Sequence, residues 1–290
     1  MLQTKKPEDI VLVDGGSTDN TLEIIRSHAQ YLPIKLIVQR GNRSVGRNTA
    51  VKASKNEVIA CTDVGCRLDR AWFENITKPF AEDESVMVVS GFFKADPQNL
   101  FELCSSTLML FGHDNINPDE WLPSSRSVAF KKEAWCSVGG YPEDMDFNED
   151  TPFDLALKKE GYRFYFVPDA IAYWRPRSSL KGFFKQYYSY SKWDGIALIN
   201  LKNYASLTIA YVIGAISFFF GFWINLLWVL PLGGFSLYAT SRSVRVLRKI
   251  PRLEAFLLLP ILIAVVDVAF ITGFAAGVAR RLKNRLRSAK

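Results

Sequence analysis

The sequence predicts an α/β protein, with a mostly parallel sheet and helices on both of its faces, followed by C-terminal transmembrane helices. Two observations predict this class. In the N-terminal part, short apolar runs alternate with capped amphipathic segments, which is typical of parallel strands joined by helical crossovers. From Tyr204 onwards the chain has long tracts almost without charge. The composition, 49% hydrophobic and 22% charged residues, indicates an ordered protein.

Each predicted element rests on a local signal. Runs rich in Val and Ile predict strands, and cap residues followed by apolar residues at helical spacing predict helices. The predicted strands are 10–14, 34–38, 58–63, 86–91 and 164–167, and the predicted helices lie near 18–29, 44–55, 70–81 and 150–160. Residues 92–148 are less regular and rich in aromatic, Asn and Pro residues. This region is interpreted as a lid or an acceptor-side insertion.

Charge divides the chain into two parts. Residues 1–203 hold 25 Lys+Arg and 27 Asp+Glu, a net charge of −2, whereas residues 204–290 hold 11 and 2, a net charge of +9. The basic excess flanks apolar tracts, which indicates a membrane and argues against nucleic acid as a partner. The four cysteines form no CxxC pair and there are two histidines, so no zinc site is predicted.

The C-terminal part predicts membrane helices. Residues 204–239 carry no charge, and residues 255–279 carry only Asp267. One helix crosses the hydrocarbon in about 20 residues, so the first tract is long enough for two short helices. Asn225 or the segment 231–234 would form the turn between them. The following basic residues would then return to the cytoplasmic side: Arg242, Arg245, Arg248, Lys249 and Arg252.

The second tract leaves the number of passes open. A full crossing would place the C-terminal basic residues outside, against the positive-inside tendency. Asp267 is either a helix-to-helix polar contact or a functional group in the bilayer, and the contact is favoured. Residues 178–203 mix aromatic and basic side chains, which suits the headgroup layer. The predicted parts are thus a domain at 1–177, an interfacial segment at 178–203 and a membrane domain with a basic tail at 204–290.

Two acids follow predicted strands. Asp14 ends the first strand and Asp63 follows the third, and ligands of open α/β sheets bind at such strand ends. Asp14 precedes Gly15, Gly16 and Ser17, so it is either a turn acid or an acceptor for a nucleobase or ribose. Asp63 is a candidate ligand for a divalent metal on a diphosphate, because Mg²⁺ and Mn²⁺ favour oxygen ligands.

Two further pairs of polar residues begin helices. Arg47 and Asn48 lie in a helix-opening segment, where a guanidinium either clamps phosphate oxygens or is simply solvated. Glu149 and Asp150 begin a later helix, where its dipole stabilises acids. A carboxylate there is also suited to take a proton from an acceptor hydroxyl that attacks an anomeric carbon. Spacing alone does not separate these interpretations.

Taken together and in this order, these segments resemble family 2 glycosyltransferases of the GT-A fold, from about residue 8 to residue 195. Val13 to Thr21 resembles the family's first nucleotide-binding motif, and Gly46-Arg47-Asn48 resembles its Ala-Arg-Asn segment. Thr62-Asp63-Val64-Gly65 lies at the position of the Asp-x-Asp metal motif. Gly139-Gly140-Tyr141-Pro142 resembles the Gly-Gly-aromatic motif, and Glu149-Asp150 the Glu-Asp pair.

The resemblance implies a role for each matched residue. Asp150 is the catalytic base, Glu149 supports it or the acceptor, and the reaction inverts the anomeric centre by direct displacement. Asp63 also holds the divalent cation, Mg²⁺ or Mn²⁺. The nucleotide-sugar donor is bound by Asp14, Gly15, Ser17, Arg47, Asn48 and Asp63.

Four departures from the family pattern change what is expected. Gly15 occupies the position at which many family members have a second Asp. Gly65 replaces the second acid of Asp-x-Asp, which weakens the expectation of a metal. The Gln-x-x-Arg-Trp motif is missing, which favours transfer of single sugars. The family's first strand and helix have no counterpart before residue 10, so we expect this chain to be poorly folded or inactive and an extended version to work, because a missing central strand leaves buried polar groups unpaired.

The predicted function is that of a membrane-anchored inverting glycosyltransferase. It moves a sugar from a nucleotide-sugar donor to a membrane-associated, lipid-linked or glycan acceptor in cell-envelope glycan synthesis. We expect a multi-pass protein of the cell membrane with a cytoplasmic catalytic domain. The alternative is a catalytically impaired, truncated homologue that acts as a membrane scaffold or partner subunit. A nucleotidyltransferase on the same kind of sheet is a weaker third possibility, because fold does not fix chemistry.

Overall fold

The structure, a computed structural model, describes residues 3–110, 116–118, 120–145 and 147–288. Parts of the predicted insertion at 92–148 therefore lie outside the described residues. The strands are β1 (Ile10–Asp14), β2 (Ile34–Val38), β3 (Val58–Cys61), β4 (Cys66–Leu68), β5 (Val88–Ala95), β6 (Val128–Lys131) and β7 (Phe164–Trp174). The helices are α1 (Thr21–Ala29), α2 (Arg43–Ala53), α3 (Trp72–Glu82), α4 (Leu100–Met109), α5 (Lys132–Ser137), α6 (Asp150–Lys159), α7 (Leu180–Ala197), α8 (Leu201–Phe220), α9 (Val229–Leu247) and α10 (Leu253–Ser288).

The first compact unit, residues 1–96 and 115–174, holds all seven of these strands. β1 and β2 pair in parallel as one sheet, and the other five form a second sheet in the order β3-β6-β5-β7-β4. In the second sheet only β5 and β7 run parallel. The predicted α/β fold is present, but the sheet is mixed rather than mostly parallel, because β6 inserts antiparallel between β3 and β5, and β4 pairs antiparallel with β7.

Helices cover both faces of the five-stranded sheet, as predicted. Val88 and Val89 of β5 enter different buried clusters, because successive side chains of a strand point to opposite faces. α3 contributes Trp72, Ile76 and Phe80 to one cluster. On the other face, the second cluster contains residues of α2, α5 and α6. The site residues described below are thus carried by a packed scaffold.

The second compact unit, residues 97–114 and 175–290, is helical and contains α4 and α7 to α10. Among the described residues, α8 and α10 are the helices long and apolar enough to cross a membrane. The chain turns between α8 and α9 in a 3-10 helix at Asn225–Trp228, while 231–234 lies within α9. Of the two predicted turns, the structure has the one at Asn225. α7 lies within the predicted interfacial segment.

α7 and α10 approach each other closely through small residues. Gly273 and Gly277 are one helical turn apart on α10, and a Cβ added at either would overlap backbone carbonyl oxygens of α7, at Tyr188 and Lys192 respectively. Glycine lets the two backbones meet, as in small-xxx-small helix pairs. The close approach explains why α10 stays packed on α7 over several turns.

Asp267 makes a polar contact between the helices of the second unit. It is 1% exposed. Its Oδ2 accepts a hydrogen bond from the Tyr211 hydroxyl of α8 at 3.0 Å, and its Oδ1 lies 3.4 Å from Nη1 of Arg242 in α9. Arg242 also donates to the Tyr238 hydroxyl at 2.8 Å. These bonds agree with the favoured interpretation of Asp267 as a helix-to-helix contact.

Candidate active site

Arg47 is the centre of the candidate site. Its Nη2 lies 2.5 Å from Oδ1 of Asp63, and its Nη1 forms a second ion pair with Oε1 of Glu149. The guanidinium also lies 5.4 Å from the centre of the Tyr141 ring. The arginine side chain is 14% exposed and that of Glu149 is 5% exposed. Arg47 therefore joins α2 to the segment after β3 and to the start of α6.

Local structure fixes the three elements that meet at Arg47. The Asn42 side chain caps α2 by accepting from the Val45 N–H at 3.0 Å. Asp63 lies in a tight turn that is closed by the Cys66 N–H on the Asp63 carbonyl, at 3.2 Å. Glu149 is the N-cap residue of α6, where the helix dipole stabilises a negative charge.

Asp150 is the first residue of α6 and directly follows Glu149. Its Oδ2 accepts from the Ser125 N–H at 3.3 Å and its Oδ1 from the Thr151 N–H at 3.1 Å. The residue is half-buried, so solvent and small molecules reach it. The structure thus joins Asp63, Arg47 and Glu149 through ion pairs, and Asp150 is the next residue along the chain. Their roles in a reaction stay predictions.

Asp14 belongs to a separate hydrogen-bond group at the end of β1. Its carboxylate accepts from the Gly16 N–H at 2.9 Å, and from the N–H and hydroxyl of Ser17 at 2.8 and 2.6 Å. The Ser17 hydroxyl contributes most to lowering the pKa of Asp14. Asp14 is therefore ionised and holds the turn that contains Gly15. α2 packs on β1, but a contact between Asp14 and a nucleotide stays a prediction.

Asn48 is 3% exposed and its amide is used inside the protein. Nδ2 donates to the Tyr141 carbonyl at 2.9 Å and to Oε1 of Glu143 at 2.8 Å, and Oδ1 accepts from the Tyr141 N–H at 2.9 Å. Asn48 thus anchors the loop whose Tyr141 ring lies against Arg47. Its predicted contact with the nucleotide stays a prediction.

Asp63 is the one carboxylate at the predicted metal motif, and its Oδ1 is paired with Arg47, so a divalent cation there stays a prediction. Gly65 has φ +92°, a left-handed conformation that favours glycine, which explains why no second acid stands there. Burial raises the pKa of Cys61 to about 11, so its thiol stays protonated. The described residues contain no group of three or more metal-ligating side chains. One carboxylate with phosphates and water matches how Mg²⁺ is commonly bound.

Two residues near the candidate site were not predicted from the sequence. The Ser125 N–H binds Asp150, and no sequence signal marks a backbone donor in an irregular segment. Asp154 is 2% exposed, one helical turn after Asp150 on α6, and its Oδ2 has no hydrogen-bond partner among the described residues. Asp154 follows Asp150 by four residues, and residues four apart lie on the same face of a helix. This spacing could have identified Asp154 from the sequence.

Asp154 makes the stability of the first unit depend on pH. Burial raises the pKa of Asp154 well above its ordinary value, and the charge of Asp150 raises it further. As pH rises from about 4, the unfolded chain ionises while the folded chain keeps the proton, so stability falls until the folded pKa is passed. Asp154→Asn cannot ionise. We expect it to increase the free energy of unfolding by at least about 1 kcal/mol at pH 7, and to have little effect at pH 4.

The measurement is the melting temperature of the full chain at both pH values. Glu160→Gln, an exposed carboxylate at the end of the same helix, is the control and should change neither melting temperature. A difference between Asp154→Asn and wild type that is the same at pH 4 and pH 7 would contradict a buried, neutral Asp154.

Comparison with known proteins identifies the class of fold. In structure, the chain is similar to a mannosyltransferase from Pyrobaculum calidifontis, solved in complex with GDP-Man and Mn²⁺. The TM-score is 0.54 and the identity 19%, over 98% of this chain and 81% of that one. This similarity confirms a GT-A-like α/β fold with a mixed sheet.

Sequence comparison points to a family for the N-terminal part. Residues 1–130 match the family model described as Glycosyl transferase family 2. This part of the chain is therefore similar to glycosyl transferase family 2, a family of transferase enzymes.

Two curated relatives support this assignment. The succinoglycan biosynthesis protein ExoA of Rhizobium meliloti (strain 1021) is 30% identical over 196 residues, which are 63% of this chain and 58% of that protein. A dolichyl N-acetyl-alpha-D-glucosaminyl phosphate 3-beta-D-2,3-diacetamido-2,3-dideoxy-beta-D-glucuronosyltransferase of Methanococcus voltae is 23% identical over 253 residues, which are 79% of this chain and 70% of that protein. The matched part is thus less than two thirds of ExoA.

Proposed function

We propose that this chain is a membrane-anchored, inverting glycosyltransferase that transfers one sugar from a nucleotide-sugar donor to a membrane-associated acceptor in cell-envelope glycan synthesis. The observation that carries the proposal is the bridge from Arg47 to Asp63 and Glu149. It holds one carboxylate suited to a diphosphate-bound cation beside Asp150, a carboxylate suited to accept a proton.

The relatives support the choice of donor and acceptor. The names of ExoA and of the Methanococcus voltae enzyme refer to succinoglycan biosynthesis and to a dolichyl phosphate-linked sugar, and the similar mannosyltransferase was solved with GDP-Man and Mn²⁺. We propose a lipid-linked or glycan acceptor accordingly. The exposed apolar side chains of α8 and the basic residues that follow α9 support a multi-pass protein with its catalytic domain in the cytoplasm.

In the proposed reaction, Asp150 takes the proton of an acceptor hydroxyl while the hydroxyl oxygen forms a bond to the anomeric carbon. The bond from that carbon to the diphosphate breaks, and its electron pair leaves with the diphosphate. Attack opposite to the leaving group inverts the anomeric centre. Arg47 holds the carboxylates of Asp63 and Glu149 through its two ion pairs. When bound by Asp63 and the diphosphate, Mg²⁺ or Mn²⁺ supplies positive charge to the leaving group.

A catalytically impaired membrane scaffold is the second candidate. Gly65 favours it, because glycine supplies no carboxylate at the position of the second acid of the metal motif. Such a protein would keep the fold but not turn over a donor. The difference between the two candidates is measurable as nucleotide binding and donor turnover.

Calorimetry on the full chain in detergent, with GDP and UDP, separates these candidates. We expect Mn²⁺ to strengthen binding of the cognate diphosphate at least about tenfold, because the cation joins Asp63 to the phosphates. Asp63→Asn should lose this gain, whereas Asp169→Asn, an exposed carboxylate of the same unit, should keep it. Turnover of the matching nucleotide-sugar is measured in parallel. Absence of both diphosphate binding and turnover in the wild type would favour the scaffold.

A further inference from the structure

The end of α9 and the short segment before α10 carry arginines that the proposed reaction does not use. Arg245, Arg248 and Arg252, here called the basic stripe, are exposed. Among the described residues, no carboxylate lies within ion-pair distance of them. Residues 204–290 contain only two acids, Glu254 and Asp267. The stripe is therefore a local excess of positive charge on an otherwise apolar bundle.

Helical spacing places the stripe away from the core of the second unit. Ala239, Ser243, Val246 and Ile250 are buried and recur every three or four residues along α9 and the turn after it. Arg245 and Arg248 fall between these positions and outside the buried face. Arg252 follows them and directly precedes the start of α10. Arg242 is different, because it reaches Asp267 inside the bundle. The stripe can thus be neutralised without removing the ion pair that joins α9 to α10.

Exposed apolar side chains surround the stripe. Val244 is 41% exposed, Leu253 75%, Phe256 51% and Leu257 65%. An arginine flanked by exposed aliphatic and aromatic side chains is typical of protein surfaces at the boundary between lipid and water, where the apolar groups enter the acyl region and the cation meets phosphate.

The distances along α8 and α9 agree with a position of the stripe at the boundary between lipid and water. α8 has 20 residues, hence about 30 Å of helix, which matches the thickness of the hydrocarbon core. The turn at its end is packed, with the rings of Phe218 and Trp228 at 4.5 Å. Arg245 and Arg248 follow Val229 by 16 and 19 residues, about 24 and 28 Å along the axis. α9 packs against α8, which is long and apolar enough to cross a membrane. With the turn at one boundary of the membrane, Arg245 and Arg248 therefore lie about as far from it as the start of α8 does.

We propose that the basic stripe binds the phosphate groups of anionic phospholipids at the base of the α8–α9 hairpin. The inference rests on the membrane part of the proposed function and not on its transfer chemistry. Complementary charge selects the ligand: a zwitterionic headgroup offers no net negative charge, whereas an anionic headgroup does. Each arginine near such a surface contributes a factor of about five in affinity.

The test uses the full chain in micelles of a neutral detergent, with no sugar or nucleotide present. Dioctanoyl phosphatidylglycerol is titrated in, with dioctanoyl phosphatidylcholine as the uncharged comparison, and the melting temperature is followed. We expect only the anionic lipid to raise it. The triple variant Arg245→Gln, Arg248→Gln, Arg252→Gln should need at least about tenfold more of this lipid for the same rise.

A matched variant removes the same charge elsewhere. Lys283→Gln, Arg285→Gln, Arg287→Gln, on exposed positions near the end of α10, should respond to the lipid as the wild type does. Replacing the stripe by three lysines keeps its charge and should keep the response, even if the glutamine variant folds poorly. Equal responses of the stripe variant and the wild type, or equal effects of the two lipids, would overturn the proposal. Equal losses in both triple variants would show that only total charge matters and would also overturn it.

Discussion

Replacement of Asp150 by Asn is expected to lower the rate of sugar transfer by about 100- to 10,000-fold, with donor binding changed by no more than a few-fold. Asn keeps the shape of the side chain and still accepts the hydrogen bond that the Ser125 N–H gives to Oδ2 of Asp150, at 3.3 Å. It cannot take a proton from the acceptor hydroxyl. The loss should therefore fall on the chemical step, and the local structure of α6 should be kept.

The assay follows transfer from the cognate nucleotide-sugar to a glycosylated lipid and, separately, binding of the nucleoside diphosphate. Asp144→Asn is the matched control, because Asp144 is exposed in the loop before α6. It should transfer at the wild-type rate. Transfer by Asp150→Asn at a rate near wild type would show that the base lies elsewhere. Loss of diphosphate binding would mean that the substitution had disturbed the site as a whole.

The sequence predicted most elements of the first unit because their signals are local. The bounds of β1 and β2 agree with the predicted 10–14 and 34–38, since each is an apolar run bounded by turn residues. β4 and β6 were not predicted. They have three and four residues, and both pair antiparallel with strands distant in the sequence. Whether such a short segment becomes a strand depends on its partners, and this is also why the sheet is mixed.

The candidate site shows a similar division. The order of the motifs singled out Arg47, Asp63, Glu149 and Asp150, but their mutual contacts were not predictable from spacing. Arg47 meets Asp63 across 16 positions and Glu149 across 102. From the sequence, Arg47 either clamps phosphate oxygens or is solvated, whereas in the structure its guanidinium bridges two carboxylates. Asn48 was assigned to the nucleotide, and the structure shows its amide hydrogen-bonded to the loop at Tyr141.

The bridge at Arg47 leads to the second large effect. Arg47→Met keeps most of the length of the side chain but removes both ion pairs. Glu149, whose side chain is 5% exposed, then remains as an unpaired buried charge next to Asp150. Removing one partner of a buried pair destabilises a protein by about 3–5 kcal/mol. Because Asp63 is one-third exposed and partly solvated, we expect a loss near the lower end, about 3 kcal/mol, together with loss of transfer.

Urea unfolding of the full chain, followed by tryptophan fluorescence, measures the predicted loss in the free energy of unfolding. Arg43→Met is the control, because Arg43 is exposed on the same helix and should have a small effect. Arg47→Met combined with Glu149→Gln removes the unpaired charge and should recover more than half of the lost stability. It should not recover transfer, because Asp63 is no longer joined to Glu149, the residue next to Asp150, at the start of α6. Stability that does not recover in the double variant would show that Arg47 acts through packing on Tyr141, and recovered transfer would show that Asp63 and Asp150 are positioned without it.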